Sequence, residues 1–298
     1  MRWPAFILVG ACSARAPDPI PPAPVELRDP LAEPSLLADI AWLTDAARAG
    51  RGSQSPAARA TAEWLAGELR SAGYRDVLEQ PIPSLPGQVN VIASTPGTGR
   101  AVVVMAHYDH LGVQGGALYP GANDNASGVA VALAVARDLA IHRIAGRVAF
   151  VFTGGEEVDL LGARAFVASP PPSLPLAAIR VVYNLDMVGT PLFGNDAQLA
   201  AVGLPDDPDL ADVAADAART AGLALIAVRP GLLTLVGEDR RSDDWVLRDA
   251  HVPAVHFSTG LFEQYHRPTD TIDRLSRTQL VRIARFLDTL CRNVALVK

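Results

Sequence analysis

The chain is poor in the basic residues that hold nucleic acid. Lys298 is the single lysine among 298 residues, and 32 acidic side chains outnumber 26 basic ones, for a net charge of −6. Binding to a phosphate backbone depends on clustered basic side chains. We therefore expect no nucleic-acid partner.

The N-terminus lacks an apolar run long enough to cross a membrane. Residues 3–11 fall well short of the roughly 20 that a spanning helix needs. The following Val9-Gly10-Ala11-Cys12 resembles a bacterial lipoprotein signal, which is cleaved before a cysteine that is then acylated. We predict a signal peptide at residues 1–11, a Pro/Ala-rich tether at 12–32 and one folded domain at 33–298. A plain secretory signal or a misassigned start are the alternatives.

This prediction places the protein in the cell envelope, either anchored through a lipid on Cys12 or free in the periplasm. Cysteine is scarce, with two in the chain. Once Cys12 is acylated, Cys291 has no partner for an internal disulfide. We predict that Cys291 is a buried core thiol, because it shares a helical apolar stripe with Leu280, Ile283, Ala284, Leu287 and Val294.

Beyond the tether, helical and extended patterns alternate. The helical spacing predicts helices at residues 36–49, 57–72, 127–141, 160–168, 209–221 and 278–294. Short β-rich runs predict strands at residues 76–82, 89–94, 102–106, 148–153, 181–185 and 252–257. Continuous apolar strands such as 102–106 indicate burial on both faces. The sequence therefore predicts an α/β fold with a mostly parallel central sheet between helices, in three αβα layers.

Ionisable residues collect where these strands end. His107 and Asp109 follow one strand, Glu156 and Glu157 a second, and Asp186 a third. Two further residues lie in loops: Asp124 precedes a helix of small residues, and His266 follows the last strand. Sites in such sheets lie at the carboxyl ends of the strands.

These residue types favour metal chemistry. His107 and Asp109 are two apart on an extended segment, so they share a face, and the carboxylate can orient the imidazole. At a turn, one of Glu156 and Glu157 can bind metal while the other faces a substrate water. Mixed histidine and carboxylate ligation suits zinc. Five ligands would close a single tetrahedral site, whereas two metals bridged by Asp124 leave room for water.

Five motifs occur in the order and spacing of a known family. They are A-H-Y-D-H-L-G (106–112), Y-P-G-A-N-D-N-A-S-G (119–128), T-G-G-E-E-V-D-L-L-G-A-R-A-F (153–166), N-L-D-M-V-G (184–189) and Y-H-R-P-T-D-T-I-D (265–273). Over roughly residues 36–298 the chain resembles the M28 family of zinc aminopeptidases. This resemblance implies the zinc-exopeptidase fold and hydrolysis of the N-terminal residue of a peptide substrate.

The resemblance also implies roles for individual residues. Two zinc ions per chain would be held by His107, Asp124, Glu157, Asp186 and His266, with Asp124 bridging them. Glu156 would be the general base, and Asp109 would assist catalysis. The peptide bond between Asp124 and Asn125 would be cis. The oligomeric state and the preferred N-terminal residue do not follow from it.

The other polar residues receive structural interpretations. We expect His110, His142, His251 and His256 to be ordinary loop, surface or core histidines, and Asp270 and Asp273 to make turns or caps. Ser242-Asp243-Asp244 stands where many relatives have Ser-Asp-His. It predicts a helix start capped by Ser242, or a pocket wall formed by Asp243 or Asp244.

Three other functions compete with an aminopeptidase. Glutaminyl cyclases share the fold and use one zinc for acyl transfer, but the D-N-A-S-G and E-E-V-D-L-L-G-A strings resemble the peptidases more closely. A carboxypeptidase needs a basic clamp for the substrate carboxylate, which the sequence does not reveal. A catalytically inactive binding module would be expected to lack ligands, whereas the five ligand positions and Glu156 are all present here.

Overall fold

The computed structural model describes residues 29–204, 208–230 and 242–296. The predicted signal peptide and residues 12–28 of the predicted tether lie outside the described residues and stay predictions. The last tether residues are packed on the domain, since Leu31 is buried in the core and its amide donates to the Asp29 carboxylate. In the described part of the chain, no helix is both long and apolar enough to span a bilayer.

An eight-stranded sheet forms the centre of the domain. Its strands are β1 (Leu78–Pro81), β2 (Val89–Ser94), β3 (Thr98–His107), β6 (Gly146–Thr153), β7 (Ile179–Leu185), β8 (Gln198–Val202), β9 (Ala224–Val228) and β10 (Ala254–Ser258). Their order in the sheet is β1-β2-β6-β3-β7-β10-β8-β9. The four central strands, β6, β3, β7 and β10, run parallel to one another. β2 and β8 flank this group and run antiparallel to it.

A separate two-stranded hairpin joins β4 (Val113–Gln114) to β5 (Ala117–Leu118). The central strands are mostly apolar where they are buried, because both of their faces are covered there. Val102, Val104 and Ala106 of β3 face one core cluster, and Val103 and Met105 face the other. This burial on both faces confirms the prediction made from the continuous apolar runs.

Helices cover both faces of the sheet. They are α1 (Glu33–Thr44), α2 (Pro56–Ala72), α3 (Gly128–Ile141), α4 (Leu161–Ala168), α5 (Pro208–Thr220), α6 (Asp243–Asp249) and α7 (Arg277–Leu296). α1, α2, α3, α5 and α7 contribute to the larger core cluster, whereas α4 and α6 pack on the opposite face. The predicted three-layer αβα architecture is therefore confirmed.

Local signals in the sequence account for several element ends. Ser55 caps α2 by accepting from the Ala58 amide, and Pro56 occupies the first turn. Cys291 is fully buried on α7, as predicted.

Four strands of the described residues were not predicted: β4, β5, β8 and β9. β9 is only half-buried, so its apolar residues do not form the continuous buried run that identified β3. Only the start of α6 was predicted, because its seven residues are too few for a helical period to stand out.

Candidate metal centre

The parallel strands bring the predicted site residues to one edge of the sheet. His107 ends β3 beside Thr153, which ends β6 and precedes Glu156 and Glu157. Asp186 directly follows β7, and its amide donates to the Phe257 carbonyl of β10. The loop after β10 then returns to the same edge with His266. The site is thus assembled from four strand ends and from the loop that carries Asp124.

The Asp124 carboxylate lies between two histidines. Its Oδ1 is 3.5 Å from His107 Nε2, and its Oδ2 is 3.3 Å from His266 Nε2. On the first side, His107 Nε2 also lies 3.4 Å from Asp186 Oδ1. On the second side, His266 Nε2 lies 3.1 Å from Glu157 Oε2. One oxygen of Asp124 therefore faces the side of His107 and Asp186, and the other faces the side of His266 and Glu157.

The spacing of the ligand atoms around Asp124 matches the geometry of zinc. Two ligands about 2.0–2.2 Å from a tetrahedral zinc lie roughly 3.3–3.5 Å apart. The four nitrogen–oxygen separations around Asp124 run from 3.1 to 3.5 Å. In addition, ligand atoms of His107, Glu156 and Asp186, and of His110, Asp124 and Glu157, lie within 4.8 Å of one another in each trio. The spacing of these ligand atoms fits two adjacent zinc ions.

Asp109 fixes the turn that carries the two glutamates. Its carboxylate accepts from the Ser53 hydroxyl at 2.5 Å and from the amides of Glu156 and Glu157 at 3.1 and 3.4 Å. The carboxylate lies 3.8 Å from His107 Nδ1, whereas the main-chain carbonyl of Asp109 lies 3.2 Å from it. Asp109 thus contacts the imidazole more closely through its backbone than through its side chain, because the carboxylate is already engaged by three donors.

The two adjacent glutamates lie in opposite electrostatic environments. Burial raises the pKa of Glu156, and the Asp186 and Asp243 carboxylates raise it further against the opposing effect of His107. Burial also acts to raise the pKa of Glu157, but hydrogen bonds from His110 and His266 hold this pKa well below its usual range. Glu157 is therefore an anion with fixed partners, whereas Glu156 has the greater tendency to take up a proton.

His110 belongs to this centre, so its interpretation as an ordinary histidine is wrong. Its ring is fully buried, and its Nδ1 lies 2.7 Å from Glu157 Oε1. Glu157 consequently presents one oxygen to His110 and the other to His266. His110 Nε2 is a buried atom without a hydrogen-bond partner in the described structure.

Asp270 holds the loop of Asp124 through hydrogen bonds to its main chain. Its carboxylate accepts from the Asn123 amide at 2.9 Å and from the Asp124 amide at 3.1 Å. Burial raises the pKa of Asp270 to about 6 against the effect of these two bonds. Asp270 closes a local turn as predicted, since its amide donates to the Arg267 carbonyl at 3.1 Å, but its carboxylate has partners almost 150 residues earlier in the chain, which the sequence interpretation does not include. The peptide bond between Asp124 and Asn125 is cis, as the family resemblance implies.

The Ser242-Asp243-Asp244 segment begins helix α6, but Ser242 does not cap it with its side chain. The Ser242 hydroxyl instead accepts from Asn184 at 2.8 Å. Asp243 is fully buried and accepts from Thr153, and burial raises its pKa to about 7. Asp244 lies 2.7 Å from Arg248 and lines a cavity beside the centre. Both sequence interpretations are thus correct in part.

That cavity has a volume of about 350 Å³ and reaches the centre at Asp124, Glu156 and Asp186. Its floor is apolar and is formed by β8 and β9. Phe193 and Leu261, which also line it, are 88% and 59% exposed. The polar side chains of Asp244, Arg248 and His256 line it as well.

Sequence reasoning missed several supports of the centre. Ser53 and Arg51 lie in a short Gly-rich segment between α1 and α2, where no strand end points to a site. His110 stands in the quoted A-H-Y-D-H-L-G motif and Asp270 in Y-H-R-P-T-D-T-I-D. Their membership of these motifs was the signal that could have found them.

A three-layer α/β fold with histidines and carboxylates gathered at the carboxyl ends of its parallel strands defines the class of the zinc exopeptidases. The family is then identified by direct comparison. The model of peptidase family M28 matches residues 90–290, and the chain belongs to that family.

The chain is also similar to individual curated proteins. The chain is 31% identical over 220 residues to a protein named probable lipoprotein aminopeptidase LpqL of Mycobacterium tuberculosis, covering 64% of this chain and 42% of that protein. The chain spans less than half the length of the curated relatives it matches.

Solved structures share the fold at low identity. A zinc aminopeptidase of Bacillus subtilis has a TM-score of 0.72 at 16% identity, covering 91% of this chain and 97% of that one. A glutaminyl cyclase of Tannerella forsythia has a TM-score of 0.69 at 22% identity, covering 88% and 99%. The two activities therefore occur on one fold, and the fold alone does not distinguish them.

Proposed function

We propose that the protein is a zinc-dependent aminopeptidase that hydrolyses the N-terminal residue from peptides with two zinc ions. The observation that carries this proposal is the Asp124 carboxylate, whose two oxygens lie 3.5 and 3.3 Å from His107 and His266. A carboxylate in this position can bridge two metals. Membership of peptidase family M28 supports the hydrolytic reaction.

In this proposal His107 and Asp186 hold one metal, Glu157 and His266 hold the other, and Asp124 binds both. His110 donates to Glu157 and so orients it toward the second metal. When bound, zinc polarises a scissile carbonyl and lowers the pKa of a water molecule. Proton transfer and substrate binding are assigned to residues of the chain.

Glu156 is proposed as the general base. It lies in the trio with His107 and Asp186, and its raised pKa allows it to hold a proton during turnover. Glu156 would take the proton from the attacking water and pass it to the leaving amine. Asp109 would keep the glutamate in place through the amide of Glu156.

The surroundings of the centre suit the N-terminus of a peptide. A free α-amino group is a cation at neutral pH, and the buried carboxylates of Asp124, Glu156 and Asp186 would attract it. The adjoining cavity of about 350 Å³ offers room for the side chain of the N-terminal residue.

The activity is tested with aminoacyl-anilides, an N-acetylated anilide and a peptide with N-terminal Gln, each with and without a chelator. We expect chelator-sensitive amine release from the free anilides and none from the N-acetylated one. Cyclisation of the Gln peptide without amine release would instead identify a glutaminyl cyclase. Inactivity of the zinc-loaded protein toward every substrate would favour a binding module.

The role of the base is tested by Glu156→Gln, which keeps the size of the side chain but removes its proton affinity. We expect at least about a hundredfold loss of kcat, the usual contribution of general-base catalysis. Zinc content, measured by mass spectrometry, should stay at the wild-type level, since Glu156 is not one of the five proposed ligands. Near-normal turnover by this variant would remove Glu156 from the mechanism.

The bridging role of Asp124 is tested by counting metals after dialysis against buffered zinc. Asp186→Ala takes a ligand from one metal, so we expect about one zinc per chain. Asp124→Ala takes a ligand from both metals, so we expect fewer zinc ions than in Asp186→Ala. Equal zinc content in the two variants would contradict bridging.

We also propose that the predicted signal peptide (1–11) is removed on export, and that the tether (12–32) then anchors the domain (33–298) in the cell envelope through a lipid on Cys12. The name of the LpqL relative, a probable lipoprotein, supports this proposal. Cys12→Ser is expected to move the expressed protein from the detergent phase to the aqueous phase in phase separation. Unchanged partitioning would argue against the lipid.

A further inference from the structure

Arg51 is a fully buried residue beneath the centre, and its guanidinium is bound by main-chain carbonyls. Nε donates to Tyr108 O at 2.9 Å, and Nη2 donates to Gly121 O at 2.9 Å. Nη1 donates to Leu43 O at 2.7 Å and to Pro120 O at 2.8 Å. One planar group therefore connects three separate segments of the chain.

Two of these segments carry proposed metal ligands. Tyr108 stands between His107 and Asp109, at the end of β3. Gly121 lies three residues before Asp124, at the start of the loop that places the bridging carboxylate. The Arg51 side chain thus donates both to the segment of His107 and to the segment of Asp124.

The backbone around Arg51 is held in an unusual conformation. Arg51 has a φ of 51°, and the preceding Gly50 has a φ of 63°. A Cβ atom at Gly50 would lie 2.3 Å from Tyr119 O, so only glycine fits there. The Arg51 carbonyl also accepts from the His110 amide at 3.1 Å. Strained backbone of this kind persists where the surrounding structure enforces it, often at functional sites.

Arg51 also brings positive charge to a carboxylate-rich region. Burial lowers the pKa of Arg51 to about 10, and the neighbouring Asp270, Asp124 and Asp109 oppose that shift. The group remains protonated at neutral pH. Because its direct partners are carbonyls, its charge stabilises the nearby carboxylates without occupying the oxygen atoms that a metal needs.

We propose that Arg51 is a positioning residue of the two-metal centre, holding the His107 and Asp124 segments at the separation that two metal ions require. This inference rests on the proposed function. A guanidinium suits the task because its five N–H donors are fixed in one plane, whereas a lysine has three donors on one nitrogen. A lysine would keep the charge and leave at least one of the four carbonyls without a partner.

The test compares Arg51→Lys and Arg51→Ala with matched changes at Arg137. Arg137 is a partly buried arginine that donates to Asp39 at 2.5 Å and to Glu68 at 2.6 Å. It lies nine residues along α3 from Gly128, roughly 14 Å from the centre's end of that helix. Each purified protein is titrated with cobalt(II) as a probe, and binding is followed by the visible absorption of the bound ion.

We expect Arg51→Lys to bind cobalt about 10–100-fold more weakly than wild type, with a changed absorption spectrum, as for other losses of ligand-orienting groups. Arg51→Ala should be weaker still, and millimolar guanidinium chloride should restore part of its binding by filling the space left by the side chain. The Arg137 variants should keep the wild-type spectrum and affinity. Circular dichroism establishes that each variant is folded.

The inference is overturned if Arg51→Lys binds two cobalt ions with the wild-type affinity and spectrum. It is equally overturned if both Arg51 variants fail to fold while the Arg137 variants fold, because Arg51 would then serve folding rather than the centre. Wild-type protein that binds no cobalt or zinc would instead refute the proposed function. The two failures are therefore distinguishable.

Discussion

The burial of several carboxylates beside one another is the constraint on which the site depends. Asp109, Asp124, Glu156, Asp186 and Asp243 are all buried at one edge of the sheet. Burial, and after it the neighbouring carboxylates, raise the pKa values of Asp109, Glu156 and Asp243. Such a cluster is tolerated only when cations or donors compensate it. Histidines, main-chain amides and the Arg51 guanidinium supply part of that compensation, and two bound metal ions would supply the rest.

The two adjacent glutamates receive different amounts of this compensation, and their pKa values differ as a result. Glu157 is engaged by two histidines that lower its pKa, whereas burial and the neighbouring carboxylates raise the pKa of Glu156. Adjacent residues of the same type can thus serve as ligand and as base. Asp109 makes the division stable, because its carboxylate accepts from the amides of both glutamates.

Much of the fold could be predicted from the sequence because its central strands are buried on both faces. The apolar runs of β3, β6 and β7 identify these strands, and their parallel order gathers His107, Glu156, Glu157 and Asp186 at one edge. β8 and β9 could not be predicted in this way, since both line the cavity and neither is buried along its whole length. The apolar floor of the cavity, which these two strands form, was consequently not predicted.

The sequence by itself determined the central strands of the sheet, the motifs and the five candidate ligands, because hydrophobic periodicity, strand ends and motif spacing are local properties of the chain. Only the tertiary structure decided how these residues are supported. Arg51 donates to the Tyr108 carbonyl, 57 residues away, and Ser53 donates to the Asp109 carboxylate, 56 residues away. The Asp270 carboxylate accepts from the Asn123 amide, 147 residues away. Hydrogen bonds across such separations depend on how the loops pack, and no pattern within a short window of sequence encodes them.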